Sequence, residues 1–208
     1  MFITLEGPEG SGKTSHLDRL ANRIRQAGFD VVVTREPGGT RIGDEIRNTL
    51  LSMKNMEIDL KTEILLFQAS RAQHVHELIL PSLAEGKVVL CDRYADSTMA
   101  YQGYGYQTDL QELAQIIRFA TGGLQPDLTL LLDVDIETGL KRRSADKNNW
   151  NRLDAKEVAF HKRVRQGYLE MVAAQPDRWV VIDAAKPLDE VQQALQEAVL
   201  ERLAAKTG

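Results

Sequence analysis

Five short apolar runs along the chain alternate with longer stretches whose apolar residues recur every three or four positions. Phe2–Glu6, Val31–Thr34, Val88–Cys91, Leu128–Leu132 and Trp179–Ile182 read as strands. They are continuously apolar rather than alternating, as strands covered on both faces are. Leu17, Leu20, Ala21 and Ile24 mark a helix that Gly28 can end. Ile64, Leu65, Gln68 and Ala69 open a second helical face, continuing through Val75, Leu78 and Ile79 to Pro81. Leu110, Leu113, Ile116, Ile117 and Ala120 give a third helix, ended by Gly122-Gly123. Val158 through Met171 gives a fourth, and Val191, Leu195, Val199 and Leu203 the last. This alternation predicts an α/β fold: a five-stranded parallel sheet with right-handed crossovers that put helices on both faces. Ligands of such sheets bind beyond the carboxyl ends of the strands, so candidate chemistry is sought there.

Composition excludes several classes. The 208 residues make one domain, since a domain holds roughly 100–200 residues, and a chain this long buries about 70% of its unfolded surface. With 43% hydrophobic and 27% charged residues it is neither fibrous nor disordered. The single cysteine, Cys91, excludes an internal disulfide framework and a cysteine-rich metal site, and it reads as buried core. A net charge of −4 argues against non-specific nucleic-acid or membrane binding. No run approaches the roughly 20 apolar residues that span a bilayer. No basic region precedes an apolar core at Met1-Phe2-Ile3-Thr4. A cytoplasmic protein without nucleic-acid or membrane partners is expected.

The strongest local signal is Gly7-Pro8-Glu9-Gly10-Ser11-Gly12-Lys13-Thr14, which fits G-x-x-x-x-G-K-[ST] between a strand and an amphipathic helix. Glycines let successive backbone N–H groups turn inward around phosphate oxygens, and the helix N-terminus adds partial positive charge. Lys13 reaches the β- and γ-phosphates, and the Thr14 hydroxyl can ligate Mg²⁺. The chain has neither the Asn-Lys-x-Asp nor the Asp-x-x-Gly string that a GTPase needs. Its small size and five strands suit a nucleoside or nucleotide kinase.

Such a kinase needs a carboxylate near Mg²⁺, cations for the moving phosphoryl group and an acceptor pocket. Asp92 and Arg93 close the third strand beside the phosphate loop. Asp92 can hold Mg²⁺ through water, and Arg93 can grip an acceptor phosphate. Asp133, after Leu130-Leu131-Leu132, competes as the metal carboxylate. The basic stretch Lys141–Arg152 lacks apolar periodicity in its middle and reads as a mobile lid over about residues 142–152. Arg142, Arg143 and Arg152 would close onto the phosphates. His16, His74, His76 and His161 lack metal-ligand grouping and read as surface or packing residues. Two other readings stay open: a kinase for another small acceptor, and a non-catalytic ATP-binding switch.

Three segments carry a resemblance. They are Leu5–Thr14, then Thr34-Arg35-Glu36-Pro37-Gly38-Gly39-Thr40, then Asp92-Arg93-Tyr94 with Ser97–Gly103. Together they resemble the thymidylate kinase family over nearly the whole chain. The resemblance implies transfer of the γ-phosphoryl group of ATP to dTMP with Mg²⁺, in a homodimer. It implies that Glu9 receives the deoxyribose 3′-hydroxyl, Phe67 stacks on thymine, and Arg71 donates to a thymine carbonyl. Thr98 and Gln102 would lie near the base edge. Tyr101 would occupy the space of a ribose 2′-hydroxyl, Arg93 would hold the dTMP phosphate, and Pro37 would shape the wall. Gly10 stands where some members carry a catalytic arginine, so the chain resembles the bacterial type whose lid supplies it. It departs at Tyr106, where bacterial members often have arginine, and in Asn148-Asn149-Trp150-Asn151, a longer and less basic lid.

Overall fold

The computed structural model describes residues 1–145 and 151–207. Five parallel strands, β1 (Phe2–Glu6), β2 (Val31–Arg35), β3 (Val88–Asp92), β4 (Leu128–Asp133) and β5 (Trp179–Asp183), lie in the order β2-β3-β1-β4-β5. Each later strand runs one residue past its predicted end, onto Arg35, Asp92, Asp133 or Asp183. Those polar residues therefore stand at the carboxyl edge.

Both faces of the sheet are covered, which explains the continuous apolar runs. Ile3, Leu5, Leu90, Leu130 and Leu132 turn to one side and pack against Leu17, Leu20 and Ile24 of α1 (Lys13–Gln26) and Leu195 and Val199 of α9 (Leu188–Thr207). On the other side, Phe2, Val89 and Cys91 meet Val75 and Ile79, while Leu131 meets Phe160, Val164 and Tyr168 of α8 (Val158–Ala174). Cys91 is buried there, as expected of a core residue, and burial pushes its thiol well above the usual range.

Several elements differ from expectation. The helical path predicted to reach Pro81 consists of α3 (Leu60–His74), a π-helical turn (Val75–Ile79) and α4 (Leu80–Ala84). Pro81 does not end it: it stands just past the π-helical turn, where the Leu80 N–H reaches back to the Val75 carbonyl. Three elements were not anticipated from the sequence. They are α2 (Arg41–Leu51), the short α5 (Ala95–Thr98) with a π-helical segment (Met99–Gly105), and α7 (Ile136–Ala145). The remaining helix, α6 (Leu110–Thr121), ends on left-handed Gly122 as its sequence suggests.

The expected lid is only partly a loop. Arg142 and Arg143 lie on the last turn of α7. Asp146, Lys147, Asn148, Asn149 and Trp150 fall outside the described residues. Beyond them, Asn151–Asp154 is a tight turn in which the Asn151 N–H donates to Asp154 Oδ2 (2.8 Å) and the Leu153 N–H to Asn151 Oδ1 (2.9 Å).

Candidate active site

The carboxyl ends of the strands open into one cleft of about 1370 Å³. At its centre, the β1–α1 loop turns on glycines with positive φ. Gly12, at φ 88°, stands at the N-cap of α1. Gly10, at φ 70°, lies against α7 so closely that a Cβ would overlap the Gly139 backbone. No side chain fits at position 10, so a catalytic arginine has no room there. Lys13 Nζ donates to the carbonyls of Gly7 and Pro8 (both 3.0 Å) and to Ser11 Oγ (2.9 Å). Burial and the neighbouring Arg93 lower its ammonium to about 8, against the pull of Glu9 and Asp92.

Arg93 is the junction of the site. Its backbone is left-handed, φ 69°. Its guanidinium donates to Glu9 Oε1 (2.9 Å), Gly7 O (3.1 Å), Ser97 Oγ (3.2 Å) and Tyr101 Oη (3.3 Å). Tyr101 donates to the same Glu9 oxygen at 2.8 Å. Burial works to raise the Glu9 carboxyl, but Arg93, Lys13 and the Tyr101 hydroxyl outweigh it and hold it at about 2. Glu9 is therefore an anion between the phosphate loop and Arg93.

Behind Arg93 stands Glu6, fully buried. Glu6 accepts from the Tyr94 N–H (2.7 Å), Ser97 Oγ (2.5 Å) and Tyr168 Oη (2.8 Å). Burial, with Asp96 nearby, raises its carboxyl to about 7. Across the loop, Thr14 Oγ1 donates to Asp92 Oδ2 at 2.8 Å. The competing carboxylate, Asp133, is held instead by Arg165 through two bonds of 2.7 Å and does not line the cleft.

One wall of the cleft is built by β2, α2 and α3. Pro37 follows a cis peptide bond and lines the cleft. Phe67 lines it too, backed by Leu50 and Leu153, so the ring is both wall and core. Arg71 is buried and gives four of its donors to Glu36, Gln68, Thr98 and the Tyr94 carbonyl. Glu36 is shared with His74 Nδ1 at 2.9 Å, and His74 Nε2 meets Thr34 Oγ1 at 2.7 Å. His74 is thus a buried packing residue with a defined task, and His16 is likewise buried against Gln192. Thr98, Tyr101 and Gln102 line the same wall.

The three candidate lid arginines separate. Arg142 lines the cleft and donates to the Ala184 carbonyl at 2.8 Å, beside Lys186 and Leu188 of the β5–α9 junction. Arg143 lines it as well, held by both oxygens of Asp154 (3.0 and 2.8 Å). Arg152 is not brought to the cleft: it is buried, donates to the Leu50 carbonyl (3.1 Å) and pairs with Glu63 (2.6 Å). Its carboxylate partner and a backbone carbonyl claim the guanidinium that the lid reading assigned to phosphate.

Sequence reasoning missed Arg47. This residue of α2 lines the cleft and donates to the Pro37 carbonyl at 2.9 Å. Burial and the charge of Arg35 lower its guanidinium from its ordinary range. No local motif marks it, because it reaches the cleft only when α2 packs on α3. Among the described residues, no group of three or more histidines, cysteines or carboxylates is placed to hold a metal ion, and no helix is long and apolar enough to cross a membrane.

The thymidylate kinase family model matches residues 5–195. A thymidylate kinase of Herpetosiphon aurantiacus is 48% identical, over 96% of this chain and 94% of its own length. One of Deinococcus radiodurans is 50% identical over 97% of each. The solved thymidylate kinase of Ehrlichia chaffeensis shares the fold with a TM-score of 0.77 at 34% identity, covering 96% of this chain and 98% of its own. Sheet order, phosphate loop and cleft, together with these matches along nearly the whole length, place this chain in the thymidylate kinase family.

Proposed function

We propose that the chain transfers the γ-phosphoryl group of ATP to dTMP, giving dTDP for dTTP synthesis. The observation that carries this reading is the position of Arg93. Its guanidinium lies between the phosphate loop and the aromatic wall, where an acceptor phosphate would face the γ-phosphate of ATP.

The roles in this reading are those that the family resemblance implies, carried onto the residues that line the cleft. The loop Gly7-Pro8-Glu9-Gly10-Ser11-Gly12-Lys13-Thr14 cradles the ATP phosphates, with Lys13 on the β- and γ-oxygens. Arg142, beside Ala184 and Leu188, borders the space for the adenosine end. Phe67 stacks on thymine, Arg71, Thr98 and Gln102 meet its edge, and Pro37 closes the wall. Glu9, ionised, receives the 3′-hydroxyl, while Tyr101 fills the place of a 2′-hydroxyl. Arg93 and Arg47 hold the dTMP phosphate. An oxygen of that phosphate attacks the γ-phosphorus in line, and the bond to the ADP oxygen breaks. The attacking oxygen is already ionised at neutral pH, so no general base is needed. Catalysis is positioning and charge neutralisation, by Lys13, Arg93 and Arg143.

The Thr14 hydroxyl and Asp92 carboxylate, 2.8 Å apart, are the hard oxygen donors that Mg²⁺ takes. When bound, Mg²⁺ would neutralise charge on the β- and γ-phosphates. The segment of about 142–152 as a lid and the homodimer belong to the same proposal; sedimentation velocity tests the second.

The test is ADP release from ATP and Mg²⁺ with dTMP, dUMP, dCMP, dAMP and dGMP offered separately. Turnover strongest with dTMP is expected. Preference for another monophosphate would keep the kinase and overturn the thymine wall. ATP binding without acceptor-dependent turnover would replace the enzyme with an ATP-binding switch.

A further inference from the structure

Arg152, displaced from the cleft, leads to a carboxylate that the reaction itself does not use. Glu63 projects from α3 and is buried, with about 1% of its side chain exposed. Its Oε1 accepts from Gln102 Nε2 at 2.7 Å, its Oε2 lies 2.6 Å from Arg152 Nη2, and Tyr106 Oη donates to Oε2 at 3.5 Å. One carboxylate thus ties together Gln102 of the π-helical segment, Tyr106 just past it, and Arg152 of the Asn151–Asp154 turn. The next residue of that turn, Leu153, packs on Phe67 and Leu50.

The chemistry of an amide makes this arrangement specific. A carboxylate only accepts hydrogen bonds, so Glu63 can be satisfied only by the NH₂ side of Gln102. The side chain is then fixed in one flip, and its carbonyl oxygen is what remains for a ligand. Thymine carries an N3–H that donates to such a carbonyl, whereas cytosine N3 carries no hydrogen and can only accept. Arg152 compensates the buried Glu63 charge, which would otherwise be costly.

We propose that Glu63, held by Arg152, is a positioning residue that fixes the orientation of the Gln102 amide and so selects thymine over cytosine. The inference rests on the dTMP reading of the cleft. It gives Arg152 a task at the base wall instead of on the transferring phosphoryl group.

The experiment measures kcat and KM for dTMP, dCMP and ATP in wild type, Glu63→Gln and Arg152→Gln, with thermal melts on each protein. The amide that Glu63→Gln introduces can accept or donate, so Gln102 is free to take either flip. The ratio of kcat/KM for dTMP over dCMP is expected to fall by about 10-fold or more in Glu63→Gln, with the ATP KM within about 2-fold. A merely structural role would lower both acceptors alike and leave that ratio unchanged, which would overturn the proposal. Arg152→Gln is expected to raise the dTMP KM with kcat largely kept. A kcat loss of about 100-fold at unchanged dTMP KM would instead mark Arg152 as a group on the transferring phosphoryl, and would also overturn it. If Glu63→Gln does not fold, the double variant Glu63→Gln/Arg152→Gln, which removes both buried charges together, carries the ratio measurement. A wild type without preference for dTMP over dCMP would overturn the dTMP reading itself, a result visible before any variant is made.

Discussion

Arg93 occupies the left-handed backbone region at φ 69°, which costs a non-glycine residue about 1–2 kcal/mol. Its backbone is held there on three sides. The Arg93 N–H donates to the Leu5 carbonyl (2.9 Å), the Cys91 thiol donates to the Arg93 carbonyl (3.0 Å), and the Tyr94 N–H donates to Glu6 (2.7 Å). Arg93→Ala is expected to raise the dTMP KM by about 100-fold, the loss of a charge-assisted grip worth about 3 kcal/mol, while the ATP KM stays near wild type. Unchanged dTMP kinetics would remove Arg93 from the acceptor site. Glu6 makes a second, independent prediction. Its carboxyl rises from an ordinary 4.5 to about 7 in the folded protein. The folded state therefore holds this proton more tightly than the unfolded chain. Its contribution is complete below pH 4.5 and is lost as pH rises through 7, roughly 3 kcal/mol across that window. Glu6→Gln should flatten this part of the stability–pH curve, measured by urea unfolding at several pH values. An unchanged slope would mean that another group carries it.

At the scale of elements, the phosphate loop and α7 form a backbone-to-backbone contact that needs glycine on both sides. A Cβ on Gly10 would overlap the Gly139 carbonyl, and a Cβ on Gly139 would overlap the Glu9 carbonyl. Gly10→Ala and Gly139→Ala should each lower the melting temperature and raise the ATP KM about 10-fold, because the loop must leave α7 to admit the methyl group. Variants with wild-type ATP kinetics would show that the contact does not set the loop. This packing also explains why α7 escaped the sequence reading. Its buried positions are Ile136 and Gly139, and a glycine contact leaves no apolar stripe. In α2 only Gly43 and Leu50 are buried, although Thr40 caps the helix by accepting from the Gly43 N–H at 3.0 Å. The five strands and the long α1, α6 and α9 were legible because each carries a continuous apolar run or a regular apolar stripe in its sequence. The segment Met99–Gly105 winds as a π-helix, to which neither period applies.

Over the whole molecule, residues close in sequence were legible and residues joined by the fold were not. Gly7–Thr14 is contiguous, and Asp92-Arg93 adjoins it once β1 and β3 pair. The Arg93–Glu9 pair spans 84 residues, and neither Glu63 nor Arg47 lies in a string that announces its partner. The topology also divides the cleft. In the proposed reading, the β1–α1 loop, Arg142 and the β5–α9 junction would take ATP, and β2, α2, α3 and the π-helical segment would take the acceptor. The Arg93–Glu9–Tyr101 knot joins the phosphate loop to the acceptor wall. Each substrate should therefore stabilise the protein on its own. At 100 times its Kd a ligand adds about 2.7 kcal/mol, which for a chain of this size is a rise of about 5–10 °C in Tm. Arg93→Ala should lose the dTMP shift and keep the ATP shift, and Lys13→Ala should do the reverse, as scanning fluorimetry with each nucleotide would show. Loss of both shifts in Arg93→Ala would mean that the knot holds the whole cleft together instead of serving the acceptor half.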